Sequence, residues 1–255
     1  MGKTAQLLLV IVCLLLSTLP ATAAVTLSET QAEQVEASRY RAYWLWAAVR
    51  PQQVLHRAET LYLHQGEFAR RQGKSVFLRQ GLPPSRLKVR QLWLSFRFSS
   101  LDTPAAAAQQ MFRLRQSWID AGNPATGIQI DFDAHSYQLA NYVRFLQQLR
   151  RMLPKECGLS ITGLLDWAKT GDINTLNRLH AVVDELVVQT YQGRQTVPGY
   201  GAYLPALLHL RVPFRIGLVQ QGHWDRRWEQ RLAASRWYRG AVVFLVNPAH
   251  RRQTL

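Results

Sequence analysis

Residues 127–133 read Gly-Ile-Gln-Ile-Asp-Phe-Asp, and their alternation decides how the rest of the chain is read. In an extended strand successive side chains point to opposite faces, so Ile128, Ile130 and Phe132 share one face while Gln129, Asp131 and Asp133 share the other. Such a strand suits a layer of helices on its apolar side and the axis of a closed barrel on its polar side. Helical apolar spacing flanks it in both directions. Residues 105–121 have Pro104 at the start and Gly122 at the stop, and 137–152 place Leu139, Tyr142, Val143, Phe145, Leu146 and Leu149 on one face ahead of Pro154.

The same βα alternation extends outward to both ends. Short β-rich runs at 42–46, 60–63, 91–96, 127–132, 158–162, 185–190, 214–218 and 241–246 recur at intervals that suit βα units. Eight such units predict an α/β fold, a (β/α)8 barrel of the TIM type, with an open doubly wound α/β sheet as the alternative. Only 247–255 follow the eighth run, too few for a full last helix. The segment 27–40, with Ser28-Glu29-Thr30-Gln31 as a capping box, is predicted to be a helix that covers the gap.

Residues 1–23 are expected to be a signal peptide. Lys3 gives a positive start, 7–16 are an unbroken apolar run, and Ala21-Thr22-Ala23 offers the small-x-small pattern of a cleavage site. About ten apolar residues fall short of the roughly 20 that span a bilayer. The mature chain, 24–255, is then a single exported barrel domain, periplasmic or extracellular, with no transmembrane segment after cleavage. Cys157 would be its sole cysteine, so stability must come from the core rather than from a disulfide.

The chain carries 31 Lys+Arg against 16 Asp+Glu, a net charge of +15. Export and the scattering of the arginines argue against nucleic acid, and the excess suits an anionic envelope surface as a partner. The seven histidines show no paired helical spacing, so neither a metal nor any other cofactor is expected; a phosphate loop, a dinucleotide fingerprint and a serine nucleophile elbow are also missing from the sequence.

Barrel enzymes work at the C-terminal ends of their strands. Asp131 and Asp133 stand there on one interior face, where mutual repulsion and lost solvation favour a carboxyl that keeps its proton towards neutral pH, the requirement for a general acid. Gln129, Gln189, Tyr191 and Gln192 are expected to hold a substrate, together with Asp166. The rings of Trp44, Trp46, Trp167 and Trp224 lie in or just after strands and offer flat platforms for sugar faces. Asp184 and Glu185 start the sixth strand, on the opposite end of the barrel from any such site.

The segment 127–133 resembles the strand-four signature G-x-D-x-D-x-E of the chitinase-like family 18 glycoside hydrolases, and Gln189-Thr190-Tyr191-Gln192 resembles their M-x-Y-D. A closer resemblance, over about 40–250, is to an uncharacterised family of secreted bacterial barrel proteins. It rests on 130–133, on Leu159-Ser160-Ile161-Thr162 with Trp167, and on 183–193. The hydrolase resemblance implies Asp133 as general acid, Asp131 as its assisting carboxylate and Tyr191 as a substrate-steadying hydroxyl. Gln129 and Gln192 stand where that family carries carboxylates. The expected function is glycoside hydrolysis of an envelope or extracellular poly- or oligosaccharide, with a non-catalytic glycan-binding barrel as the alternative.

Overall fold

A computed structural model describes residues 31–102, 104–167 and 173–248. The predicted signal peptide and residues 27–30 lie outside them. Eight parallel strands close on themselves: β1 (Ala42–Leu45), β2 (Thr60–Arg71), β3 (Gln91–Phe98), β4 (Ala125–Asp131), β5 (Gly158–Leu164), β6 (Glu185–Gln189), β7 (Phe214–Val219) and β8 (Tyr238–Phe244). The seam is made by β8 against β1, with Phe244 opposite Trp44, and by β1 against β2. The barrel is therefore closed, not an open doubly wound sheet, and the short apolar runs read from the sequence are its staves.

Alternation sorts the core into two bodies. Tyr43 and Leu45, Leu61 and Leu63, Ile128 and Ile130, and Leu159 and Ile161 face outward into the layer between strands and helices. Each such fully buried side chain contributes about 1.5–3 kcal/mol relative to exposure. The opposite faces fill the interior with Ala42, Trp44, Tyr62, Trp93, Val187 and Val242. Tyr62 and Trp93 stack with ring centroids 6.2 Å apart. Rings of this size fit because glycine stands opposite them: a Cβ on Gly217 would lie 2.8 Å from the Trp44 ring and one on Gly158 2.7 Å from that of Trp93.

The outer layer is uneven. Two long helices, α1 (Pro104–Asp120) and α2 (Leu139–Met152), flank β4, whereas α3 (Ile173–Arg178), α4 (Leu204–Leu207) and α5 (Arg227–Leu232) are one or two turns long. Between β2 and β3 no helix forms. β2 runs on past the predicted end at residue 63 and turns into an antiparallel hairpin with Lys74–Arg79. A bulge between His64 and Gly66 bends it outward, and the extra residue, Gln65, accepts the Trp118 indole N–H of α1 at 2.6 Å.

The predicted helix at 27–40 is not formed in its described part. Glu33–Gln34 is instead a short strand antiparallel to His223–Trp224, followed by a 3-10 turn at Ala37–Arg39. Val35, Ala37 and Tyr40 are buried there, and the Tyr40 hydroxyl donates to Glu229 of α5. Backbone pairing with the β7–α5 loop, the Val35 N–H on the Gly222 carbonyl at 2.7 Å, outweighs the local capping signal. Cys157 is buried and unpaired. Among the described residues no helix is long and apolar enough to cross a membrane.

Candidate functional site

The C-terminal ends of the strands open into a cavity of about 770 Å³. The last interior residue of β4, Asp131, lies on its floor. Asp131 is register partner to Arg97 of β3, and Arg97 donates from Nη1 to Asp131 Oδ2 at 2.9 Å. The other terminal nitrogen of the same guanidinium donates to Asp133 Oδ2 at 2.7 Å. From the far side the Thr162 hydroxyl of β5 donates to Asp131 Oδ1 at 2.8 Å. One arginine thus holds two carboxylates that would otherwise repel.

The two aspartates are not equivalent. The Asp131 side chain is 2% exposed and that of Asp133 is 48% exposed, so only Asp133 stands in open reach of a molecule entering the mouth. Burial pushes the Asp131 carboxyl up to about 6, with the Asp133 charge acting in the same direction, while Arg97 and Thr162 oppose them. The sequence reading gave the working proton to Asp133 and a modulating part to Asp131; the carboxyl whose proton affinity the fold raises is Asp131, because depth in the barrel strips its solvation.

Around this centre the cavity wall carries Trp44, Trp46, Asp166, Gln189, Tyr191 and Gln192 among the residues expected from sequence. Burial, and then the nearby Asp131 charge, raise the Tyr191 phenol well above its ordinary value. Gln192 and Arg194 reach the rim on a small hairpin, Tyr191–Gln192 with Gln195–Thr196. Trp46 lies flat on His64, centroids 4.0 Å apart and planes 14° from parallel. His64 itself is buried beneath it, and desolvation lowers its imidazole to about 4.

Three expected contacts lie elsewhere. Gln129 is beneath the floor, fully buried, accepting the Trp44 indole N–H at 2.6 Å and donating to Ser160 at 3.1 Å. Its amide is spent on locking the barrel, so it does not hold a ligand in the cavity. Trp167 points into the helical layer and donates to the Ala134 carbonyl at 2.7 Å. Trp224 is stacked on Tyr200 and donates to Glu229, under the N-terminal segment. Neither lines the cavity.

Asp166 is on the cavity wall, whereas Glu67 lies in the β2 hairpin arm and Asp225 is paired with Arg227. Glu185 sits at the N-terminal end of the interior, bound by Tyr62, Ser160 and Arg215, as expected of a stabilising position. Sequence reasoning missed Arg97, Thr162, His135, Tyr203 and Phe244. Arg97 was within reach: Trp93, Ser95 and Arg97 share one face of β3, and the strand was ended at Phe96, one residue short.

Residues 85–203 match the family model described as Domain of unknown function (DUF3142). The matched segment runs from ahead of β3 to Tyr203 and includes Arg97, Asp131, Asp133, Thr162, Asp166, Gln189, Tyr191 and Gln192. It leaves out the aromatic side of the cavity, Trp44, Trp46 and Phe244. No curated protein matches the chain. Among the described residues no group of three or more His, Cys, Asp or Glu is arranged to hold a metal ion.

Proposed function

We propose that the mouth of the barrel binds a saccharide chain of an envelope or extracellular glycan and hydrolyses a glycosidic bond in it, in a protein exported through its N-terminal signal. The observation that carries this reading is the pair of carboxylates on one guanidinium at the floor of an aromatic cavity, one of them buried enough to keep a proton near pH 6. Asp133, at the mouth, meets the leaving oxygen and passes it the proton that Asp131 holds in the pair, which leaves Asp131 ionised against Arg97. Asp131 sets how much negative charge the pair carries. Asp166, on the β5 loop and in the cavity wall, acts on the water that replaces the leaving group at the anomeric carbon; its presence in that wall supports this part. Trp46, stiffened by the ring stacked under it, and Tyr191 carry the sugar faces.

The grip of Arg97 on both carboxylates favours a second reading, a glycan-binding barrel without turnover, because a guanidinium paired with Asp133 competes with a leaving oxygen for the same atom. The two separate in one experiment. The protein is offered a panel of amino- and uronic-acid oligosaccharides, and binding and cleavage are measured for wild type and Asp133→Asn. Hydrolysis requires that Asp133→Asn still bind while turnover falls by about 10² or more. Equal turnover by both proteins refutes the acid assignment. Binding by both with no cleavage by either transfers the case to the binder.

A further inference from the structure

A second concave surface lies away from the mouth, on the outer wall towards the N-terminal end of the barrel. It is a groove of about 900 Å³ between α3 and the turns that precede β7 and β8. Three arginines line it, one from each unit: Arg178 from α3, Arg211 from the turn before β7, and Arg236 from the turn before β8. Asn174, Ser235 and the ring of Trp237 stand between them, and none of the described lining residues is a carboxylate.

The groove is held in shape by specific bonds. Asn177 ties α3 to the next turn in both directions, its amide donating to the His209 carbonyl at 3.3 Å and its oxygen accepting the Arg211 N–H at 2.7 Å. The Trp237 carbonyl accepts the Phe214 N–H at 2.9 Å, which fixes the third turn to β7. His180 packs edge-on against the Trp237 ring, and the Arg236 guanidinium lies over that ring, 5.2 Å from its centroid. Elsewhere on the protein Arg39, Arg70, Arg97, Arg150, Arg215, Arg226 and Arg227 each pair with a carboxylate. Among the described residues Arg178, Arg211 and Arg236 have no such ion pair, a state they share with other arginines such as Arg41, Arg86 and Arg144; what sets them apart is that they meet in one groove whose described lining holds no carboxylate.

We infer that this groove is a docking site for an anionic polysaccharide, separate from the barrel mouth. The three arginines come from three successive units of the outer layer, so their charges are spread along the groove and not gathered at one point. That spread suits a polymer with charges at intervals, not a single small anion. Duplex nucleic acid presents about one charge per 1.7 Å, far denser than three guanidinium groups can match along the groove. A lipid surface calls for apolar groups to enter it, and Leu208 is the sole large apolar side chain of the groove that is well exposed among the described residues. A hydroxylated chain bearing carboxylates uses the guanidinium groups together with the amide and hydroxyl between them. The net charge of +15 draws such a polymer in, and the groove gives it a seat.

The test uses the full chain, with polygalacturonate as the probe and neutral dextran, duplex DNA and phosphatidylglycerol vesicles as comparisons. The groove variant is Arg211→Gln with Arg236→Gln. The control removes equal charge from the hairpin arm, Arg71→Gln with Lys74→Gln. Saturable, salt-sensitive binding of polygalacturonate that falls at least about tenfold in the groove variant and less than about twofold in the control is the expected result. Arg178→Gln alone gives the same ordering if the double variant does not fold. Equal losses in the groove and arm variants overturn the proposal in favour of diffuse attraction, and an absence of saturable binding overturns it outright. Stronger, groove-dependent binding of DNA or vesicles overturns the polysaccharide as occupant. Loss of binding in Trp46→Ala with none in the groove variant places the polymer in the mouth instead. Cleavage of oligosaccharides at the mouth is a separate readout, so either reading can fail without the other.

Discussion

Arg97 and Asp131 are direct register partners on adjacent parallel strands, and their side chains meet across the same rung, Nη1 to Oδ2 at 2.9 Å. A cation at that rung is what lets an aspartate sit on the floor of the barrel with Asp133 two residues on. Arg97→Gln removes the charge and keeps an amide of shorter reach. Breaking a fully buried ion pair costs about 3–5 kcal/mol, and the partial exposure of Arg97 reduces this to about 2 kcal/mol. In a domain of this size that lowers the melting midpoint by roughly 4–8 °C. An unchanged midpoint in a thermal scan would show that the clamp does not stabilise the fold.

Two buried groups tilt the pH dependence of stability in opposite directions. Asp131 is raised to about 6, so between its unfolded value near 4 and pH 6 the native state binds more protons and stability falls as pH rises. His64 is lowered to about 4, so between pH 4 and its unfolded value near 6.5 the unfolded state binds more protons and stability rises with pH. Each effect amounts to about 3 kcal/mol, and in wild type they largely cancel. Asp131→Asn leaves the rising profile and His64→Phe leaves the falling one. Denaturant titrations of both variants from pH 4 to 6.5 check the signs, and parallel profiles would contradict the assignment.

If hydrolysis at the mouth depends on the proton that Asp131 retains, turnover falls as pH rises through about 6, the value at which burial sets that carboxyl. Asp131→Asn cannot ionise, so its residual activity has no limb there. A pH–rate profile of the variant that keeps the wild-type limb assigns it to another group.

Interior packing makes a prediction that no reading of function touches. Gly217→Ala places a Cβ 2.8 Å from the Trp44 ring, whose indole N–H is fixed on Gln129 and cannot swing aside without leaving that oxygen unpaired. Overpacking of this kind costs about 1–3 kcal/mol. A Gly217→Ala, Trp44→Phe double variant relieves the clash, so its loss in equilibrium unfolding is smaller than the sum of the two single losses, although Trp44→Phe by itself costs stability by unpairing the Gln129 oxygen. Additive losses would show that the two sites are independent.

The barrel, and the face of β4 that turns to its interior, were legible in the chain's own alternation. Period-two alternation in 127–133 is a local property of the chain, and eight repeats of strand and crossover leave few ways to bury their outer faces. For the same reason Asp131, Gln189 and Tyr191 could be assigned to one cavity before their positions were known. What each polar group there is bonded to depends on the assembled barrel. Gln129 and Asp131 occupy equivalent faces of one strand, yet a single layer of depth separates a structural amide from a titrating carboxyl. Arg97 comes from a strand 34 residues away in sequence, and its grip on both aspartates depends on the register of β3 against β4. Trp167 and Trp224 read as sugar platforms because aromatic content is visible in a sequence and orientation is not; packing against Ala134 and Tyr200 turned them inward. Local periodicity fixes which way a side chain leaves its own strand, whereas desolvation and partner choice arise from contacts between segments distant in sequence, which no local pattern encodes.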